Sequence, residues 1–135
     1  MFNKVEHIGL AVNNLEQAIK EFELLSEQNC YKTEIVESEN VKTAFIKIGD
    51  SKIELLEATD ESSPIAKFLH KNGPGFHHIA FDVSNIQNEI LRLKKNGFTL
   101  IHETSKSGAD NKRIAFLHPK STSGVLIEIC QERNE

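Results

Sequence analysis

The chain carries only two cysteines, Cys30 and Cys130, set far apart and in no Cys-x-x-Cys pair. That excludes a disulfide framework, a zinc ribbon and a thioredoxin-like redox centre. No uncharged apolar run approaches the ~18 residues that a membrane span requires, so no membrane partner is expected. The opening Met-Phe-Asn-Lys-Val-Glu-His reaches charge at once and lacks the apolar stretch of a secretory signal, so a cytoplasmic location is expected. Positive charge is scarce too. Lys and Arg total 16 against 20 Asp and Glu, a net charge of −4, whereas nucleic-acid phosphates are usually met by a strongly basic face. Neither a GxGxxG nor a Walker pattern is present, which removes the usual nucleotide-phosphate cradles. What is there, 135 residues with 39% hydrophobic and 27% charged, suits one soluble domain spanning 1–135.

The most informative feature is an internal repeat. Val5-Glu6-His7-Ile8-Gly9-Leu10-Ala11-Val12 lies over Phe76-His77-His78-Ile79-Ala80-Phe81-Asp82-Val83 at an offset of 71, which sets His7 on His78. The same offset sets Ala44-Phe45-Ile46 on Ala115-Phe116-Leu117. Three extra residues in the second copy then bring Ile53-Glu54-Leu55 onto Ile127-Glu128-Ile129. Two modules, about residues 4–58 and 76–131, make up nearly the whole chain. Two copies fall short of the roughly three that a solenoid needs, so a duplicated, pseudo-twofold domain is expected.

Each module reads as a strand, a helix and then several strands. From Val5 to Val12 the pattern alternates, with Ile8, Leu10 and Val12 on one face and His7, Gly9 and Ala11 on the other. Asn13 or Asn14 is a helix cap, ahead of a stripe of Leu15, Ala18, Ile19, Phe22 and Leu25. In the second copy Ile86, Ile90 and Leu93 form the stripe, and Asn96-Gly97 ends the helix. Strands are expected at 31–36, 42–48, 52–57, 99–103, 113–117 and 125–130, with turns at Gly49-Asp50 and Pro119–Gly124. Ser63-Pro64 starts a short helix that buries Ile65, Phe68 and Leu69 and stops at Gly73. The sum is an α+β fold: two paired βαβββ modules in a curved, mostly antiparallel sheet with helices outside.

Alternation also decides where the repeated polar residues point. The helices must cover the aliphatic face, so His7 and His78 project from the other one, beside the small residues Gly9, Ala11 and Ala80. Ile53 and Leu55 flank Glu54, and Ile127 and Ile129 flank Glu128, which turns both glutamates to the histidine side. If the modules face each other, two imidazoles and two carboxylates meet, a donor set suited to a divalent ion of the Mn, Co, Ni or Zn group. A lone histidine on a strand is more often structural; it is the repetition of both pairs that favours ligation. His77 points to the helix side as a hydrogen-bonding partner, and His70 ends the short helix, where its charge is favourable.

These residues resemble a known family. His7-Ile8-Gly9-Leu10-Ala11-Val12 followed by an amphipathic helix is similar to the opening of the vicinal-oxygen-chelate (glyoxalase-like) proteins. Glu54-Leu55-Leu56-Glu57, the segment 63–69, Gly75-Phe76-His77-His78-Ile79 and Lys112–Ser121 followed by Gly124–Glu128 resemble the methylmalonyl-CoA epimerase branch. The resemblance runs over about residues 4–131 and implies a metal held by His7, Glu54, His78 and Glu128, an acyl-CoA substrate and a homodimer. The implied reaction moves the C2 proton of methylmalonyl-CoA through a metal-stabilised enolate. Glu128 is the implied first base. Some bacterial members carry the second base on the third strand of the first module, where this chain has Thr43, which has no useful pKa. Glu54 then becomes the candidate for that role. Lys112, Arg113 and Lys120 surround the long turn of the second module and are candidate contacts for coenzyme A phosphates, with solvated turn charges as the alternative. Gly108 is expected in a mobile edge over the site. The competing activities are lactoylglutathione lyase (glyoxalase I) and non-catalytic binding of a small molecule on the same fold.

Overall fold

A computed structural model of the protein describes residues 1–133. Its chain divides into two compact units, one from His7 to His77 and one joining Met1–Glu6 to the chain from His78 onward. The first unit holds β1 (Phe2–Ala11) from His7, α1 (Leu15–Ser26), β2 (Cys30–Val36), β3 (Val41–Ile48), β4 (Ser51–Ala58) and α2 (Pro64–Asn72). The second holds β5 (Gly75–Val83) from His78, α3 (Ile86–Lys95), β6 (Lys106–Gly108), β7 (Lys112–Leu117) and β8 (Ile127–Glu132). Each is a βαβββ module.

Both modules share one topology. In the first the strands lie in the order β2-β3-β4-β1, with β1 parallel to β4 and the other neighbours antiparallel. In the second the order is β6-β7-β8-β5, with β5 parallel to β8 and the others antiparallel. A parallel pair needs a long connection, and in each module the helix and two further strands supply it. First and last strand of each module thereby become neighbours, which is what brings each histidine strand beside its glutamate strand.

The helices start where the repeat says they should. Asn14 Oδ1 accepts the backbone N–H of Gln17 at 3.0 Å, and Asn85 Oδ1 accepts that of Asn88 at the same distance. Each cap satisfies an N–H that the helix cannot. Leu15 and Ala18, with Ile19 and Phe22, pack on Leu10, Val12, Ala44, Ile53 and Leu55. Leu25 does not join them: it is 78% exposed, because the packed stripe ends at Phe22, a turn before the helix does. In the second unit Ile86, Ile90 and Leu93 pack on Val83, Ala115, Leu117 and Ile129. Each such aliphatic contributes about 1.5–3 kcal/mol of burial.

The short helix α2 is capped by Ser63, whose Oγ accepts the N–H of Ile65 at 3.1 Å, and it ends at Gly73, where φ is +75°. Its Ile65, Phe68 and Leu69 gather around Ala11, Val41 and Leu56. By register those three share the face of His7 and Glu54, so α2 closes one end of that face while α1 covers the opposite one.

The stretch 99–103 is not a strand. Leu100 makes a single bridge to Leu117 and the chain then bends, leaving Lys106–Gly108 as the edge strand. Gly108 therefore sits inside a strand rather than in a mobile loop, and a Cβ there would lie 2.8 Å from the Ile114 side chain. Close approach of β6 to β7 is the reason for glycine at this position. Among the described residues no helix is long and apolar enough to cross a membrane.

Candidate functional site

His7, Gly9 and Ala11 are all buried on one face of β1. The parallel pairing with β4 sets Gly9 opposite Glu54, and the antiparallel pairing of β3 sets Phe45 on the other flank of that glutamate. With no side chain opposite it, Glu54 has room to lean toward His7. His7 Nε2 and Glu54 Oε1 stand 3.3 Å apart, each side chain only 6% exposed.

The second unit repeats this arrangement residue for residue. Ala80 lies opposite Glu128, Phe116 is on its other flank, and His78 Nε2 is 3.3 Å from Glu128 Oε1. Both side chains are again buried, and the ring of Phe116 stands edge-on to that of His78 with centroids 5.8 Å apart. Two halves of one chain have thus built the same buried imidazole–carboxylate pair.

These donors fit a first-row divalent ion. Imidazole nitrogen and carboxylate oxygen bind such ions at about 2.0–2.2 Å, and two ligands on adjacent positions are then about 3–3.5 Å apart. A buried carboxylate without a cation costs several kcal/mol, which gives each pair a further reason to hold one. Softer sulfur chemistry has no part here. Burial pushes the Cys130 thiol far above its ordinary pKa, the Glu128 and Glu6 carboxylates add to the shift, and the group stays protonated.

The remaining sequence candidates fall outside this arrangement. Thr43 is buried on the Glu54 face, where its hydroxyl donates to the Glu34 carbonyl at 3.4 Å, and it brings no acid or base. His77 is half-buried and meets Phe68 edge-on at 5.0 Å. His70, in the last turn of α2, is exposed and 2.8 Å from Glu61. The stretch His118-Pro119-Lys120-Ser121 is a built turn: His118 Nδ1 accepts the Lys120 N–H at 3.1 Å, and Ser121 Oγ accepts the Thr99 N–H at 3.1 Å. Lys120 itself is exposed.

Two of the three proposed phosphate contacts are committed elsewhere. Lys112 is 6% exposed, and its Nζ lies 4.0 Å from carboxylate oxygens of Glu6 and of Glu132. Arg113 directs its guanidinium at Ser105. Both charges stand in a strand that the sequence pattern shows as amphipathic. Their partners lie too far along the chain for spacing to reveal.

Comparison with known proteins gives the family of the chain. The profile of the Glyoxalase/Bleomycin resistance protein/Dioxygenase superfamily matches residues 6–116. The mitochondrial methylmalonyl-CoA epimerase of Homo sapiens is 36% identical over 129 residues, covering 95% of this chain and 73% of that protein. The crystal structure of methylmalonyl-CoA epimerase from Mycobacterium tuberculosis superimposes with a TM-score of 0.95 at 35% identity, over 98% of this chain and 90% of that one. A methylmalonyl-CoA epimerase solved with methylmalonyl-CoA and NH4+ gives 0.95 at 32% identity, over 98% and 96% of the two chains.

Proposed function

The chain belongs to the Glyoxalase/Bleomycin resistance protein/Dioxygenase superfamily, and from that premise we propose that it is a metal-dependent methylmalonyl-CoA epimerase. The observation that carries this reading is the buried His–Glu pair built twice at repeat-equivalent positions. In our reading His7, Glu54, His78 and Glu128 together hold one divalent ion of the Co, Mn, Ni or Zn group. Bound there, such an ion supplies Lewis-acid stabilisation of the negative charge that develops on the thioester oxygen, worth several kcal/mol.

The chain's own residues supply the rest. With the ring nitrogens of His7 and His78 engaged as ligands, the carboxylates are left as the proton acceptors of the site. Epimerisation requires a base on each side of a planar carbon centre. Glu128 serves one side and Glu54 the other: one takes the C2 proton, and the other, in its protonated form, returns one from the opposite side. Positioned bases of this kind contribute about 10²–10⁴-fold. Phe45 and Phe116 stand across the sheet from the two glutamates, both of which are buried.

The test is incubation of metal-loaded protein with methylmalonyl-CoA in deuterium oxide. Exchange at C2 with interconversion of the two epimers is the expected result. Turnover of the hemithioacetal of methylglyoxal and glutathione without C2 exchange would make the protein a lactoylglutathione lyase. Neither reaction would leave a binding protein.

A further inference from the structure

Lys112 is a charged residue in apolar surroundings. On β7 it shares a face with Ile114 and Phe116, which lie opposite Cys130 and Glu128 of β8. Ile114 packs there with Ala80, Cys130 and Phe116. The lysine is nevertheless buried, with its ammonium 4.0 Å from the carboxylate of Glu6, a residue only 2% exposed. Glu132, the second carboxylate at that distance, is largely exposed. A buried ion pair is seldom the most stable choice, since an apolar pair of the same volume spares two charges their desolvation. What it can give is a defined register, because neither charge can leave the other without being stranded.

Glu6 stands where register matters. It is the last residue that the second unit takes from the start of the chain, and His7 is the first residue of the other unit. The ladder of β1 with β4 begins at His7, so that pairing fixes the strand from His7 onward and does not reach Glu6. Burial on β1 alternates through His7, Gly9 and Ala11, and Glu6 breaks the alternation.

We propose that Lys112 is a positioning residue of the metal site: by holding the Glu6 carboxylate it fixes the backbone from which His7 departs, one peptide bond on. The inference rests on the reading in which His7, Glu54, His78 and Glu128 share one ion. Ligand distances at such an ion hold to about 0.2 Å. A ligand that opens its unit has no chain of that unit before it, so the segment leading into it has to be held by the other one. The Lys112–Glu6 pair is a buried ionic contact at that point. Lys112 acts through Glu6, whose Cα is about 3.8 Å from that of His7, and not on the ion itself.

The test compares wild type with Lys112→Arg and with the Glu6→Gln/Lys112→Met double variant, which removes both charges and leaves no buried carboxylate unpaired. Co affinity is measured by equilibrium dialysis, the visible absorption of the bound ion is recorded, and the urea midpoint is taken on chelator-treated protein. The double variant is expected to bind Co at least tenfold more weakly than wild type, with an altered visible spectrum, at an unchanged urea midpoint. Lys112→Arg keeps the charge and should retain the wild-type affinity and spectrum. A double variant with wild-type affinity and spectrum would overturn the inference. So would weaker binding matched by a lower urea midpoint, which would make the pair purely structural, or a Lys112→Arg protein as weak as the double variant. A wild type that binds no Co, or two ions per chain, would overturn the shared-ion reading, and the positioning role with it.

Discussion

His7 Nε2 lies 3.3 Å from Glu54 Oε1, with a glycine opposite the glutamate on one strand and a phenylalanine on the other. Nothing in packing asks for this pair, since an aliphatic pair would fill the same space without desolvating a carboxylate. Its cost is explained if a cation is part of the site. A salt bridge kept for stability alone would have no reason to recur 71 residues later on His78, with Ala80 and Phe116 in the places of Gly9 and Phe45.

Metal removal should therefore cost stability as well as activity. Adding Mn or Co to chelator-treated protein is expected to raise the unfolding free energy by about 2.7 kcal/mol at an ion concentration one hundred times Kd. Thermal melts with and without the ion read this directly. Coincident melts would contradict it.

Replacing either glutamate by glutamine separates ligation from proton transfer. Glu54→Gln keeps an oxygen donor but loses the basic group, so it should retain bound metal and lose about 10²–10⁴-fold in turnover. The same change at Glu128 should act alike. Metal content by elemental analysis, alongside single-turnover rates, distinguishes the roles. A Glu54→Gln variant with near wild-type turnover would remove Glu54 as a base.

The core of the second unit makes its own prediction. Ile90 is 1% exposed and packs among Val83, Leu93, Leu117 and Ile129. Ile90→Ala should cost about 2–5 kcal/mol in urea unfolding and leave the metal stoichiometry intact.

Glu89 makes a pH-dependent contribution. Burial opposes its ionisation, but the Arg92 guanidinium and the N-terminal ammonium outweigh burial and hold its pKa below the ordinary carboxylate value. A lowered folded-state pKa gives stability that is present above the unfolded value and is lost as pH falls through the folded one. Glu89→Gln should thus cost about 1 kcal/mol at neutral pH, where a partly exposed Arg92 limits the gain. The difference from wild type should shrink as the pH drops below 4. A gap that stays constant down to acid pH would contradict this origin.

Much of the site could be read from the sequence because the repeat supplied a second copy of each signal. His7 with His78, Glu54 with Glu128, and Asn14 with its counterpart Asn85 are pairs whose common role shows when one copy is laid over the other. The alternation of His7, Gly9 and Ala11 against Ile8, Leu10 and Val12 gave the faces correctly. What escaped depends on tertiary neighbours. Thr99 to Glu103 has the composition of a strand, yet β6 is placed further on, where Gly108 lets the backbone approach Ile114. Lys112 looks like a turn cation until the fold buries it against Glu6.

The most direct measurement is the number of ions bound per chain, by equilibrium dialysis against Co, for wild type and for His7→Ala and His78→Ala. One ion per chain is expected in wild type, with each single substitution lowering affinity by at least tenfold. Two ions per chain, each lost with only one of the histidines, would mean that the pairs act separately, and no ion at all would return both to a purely structural role.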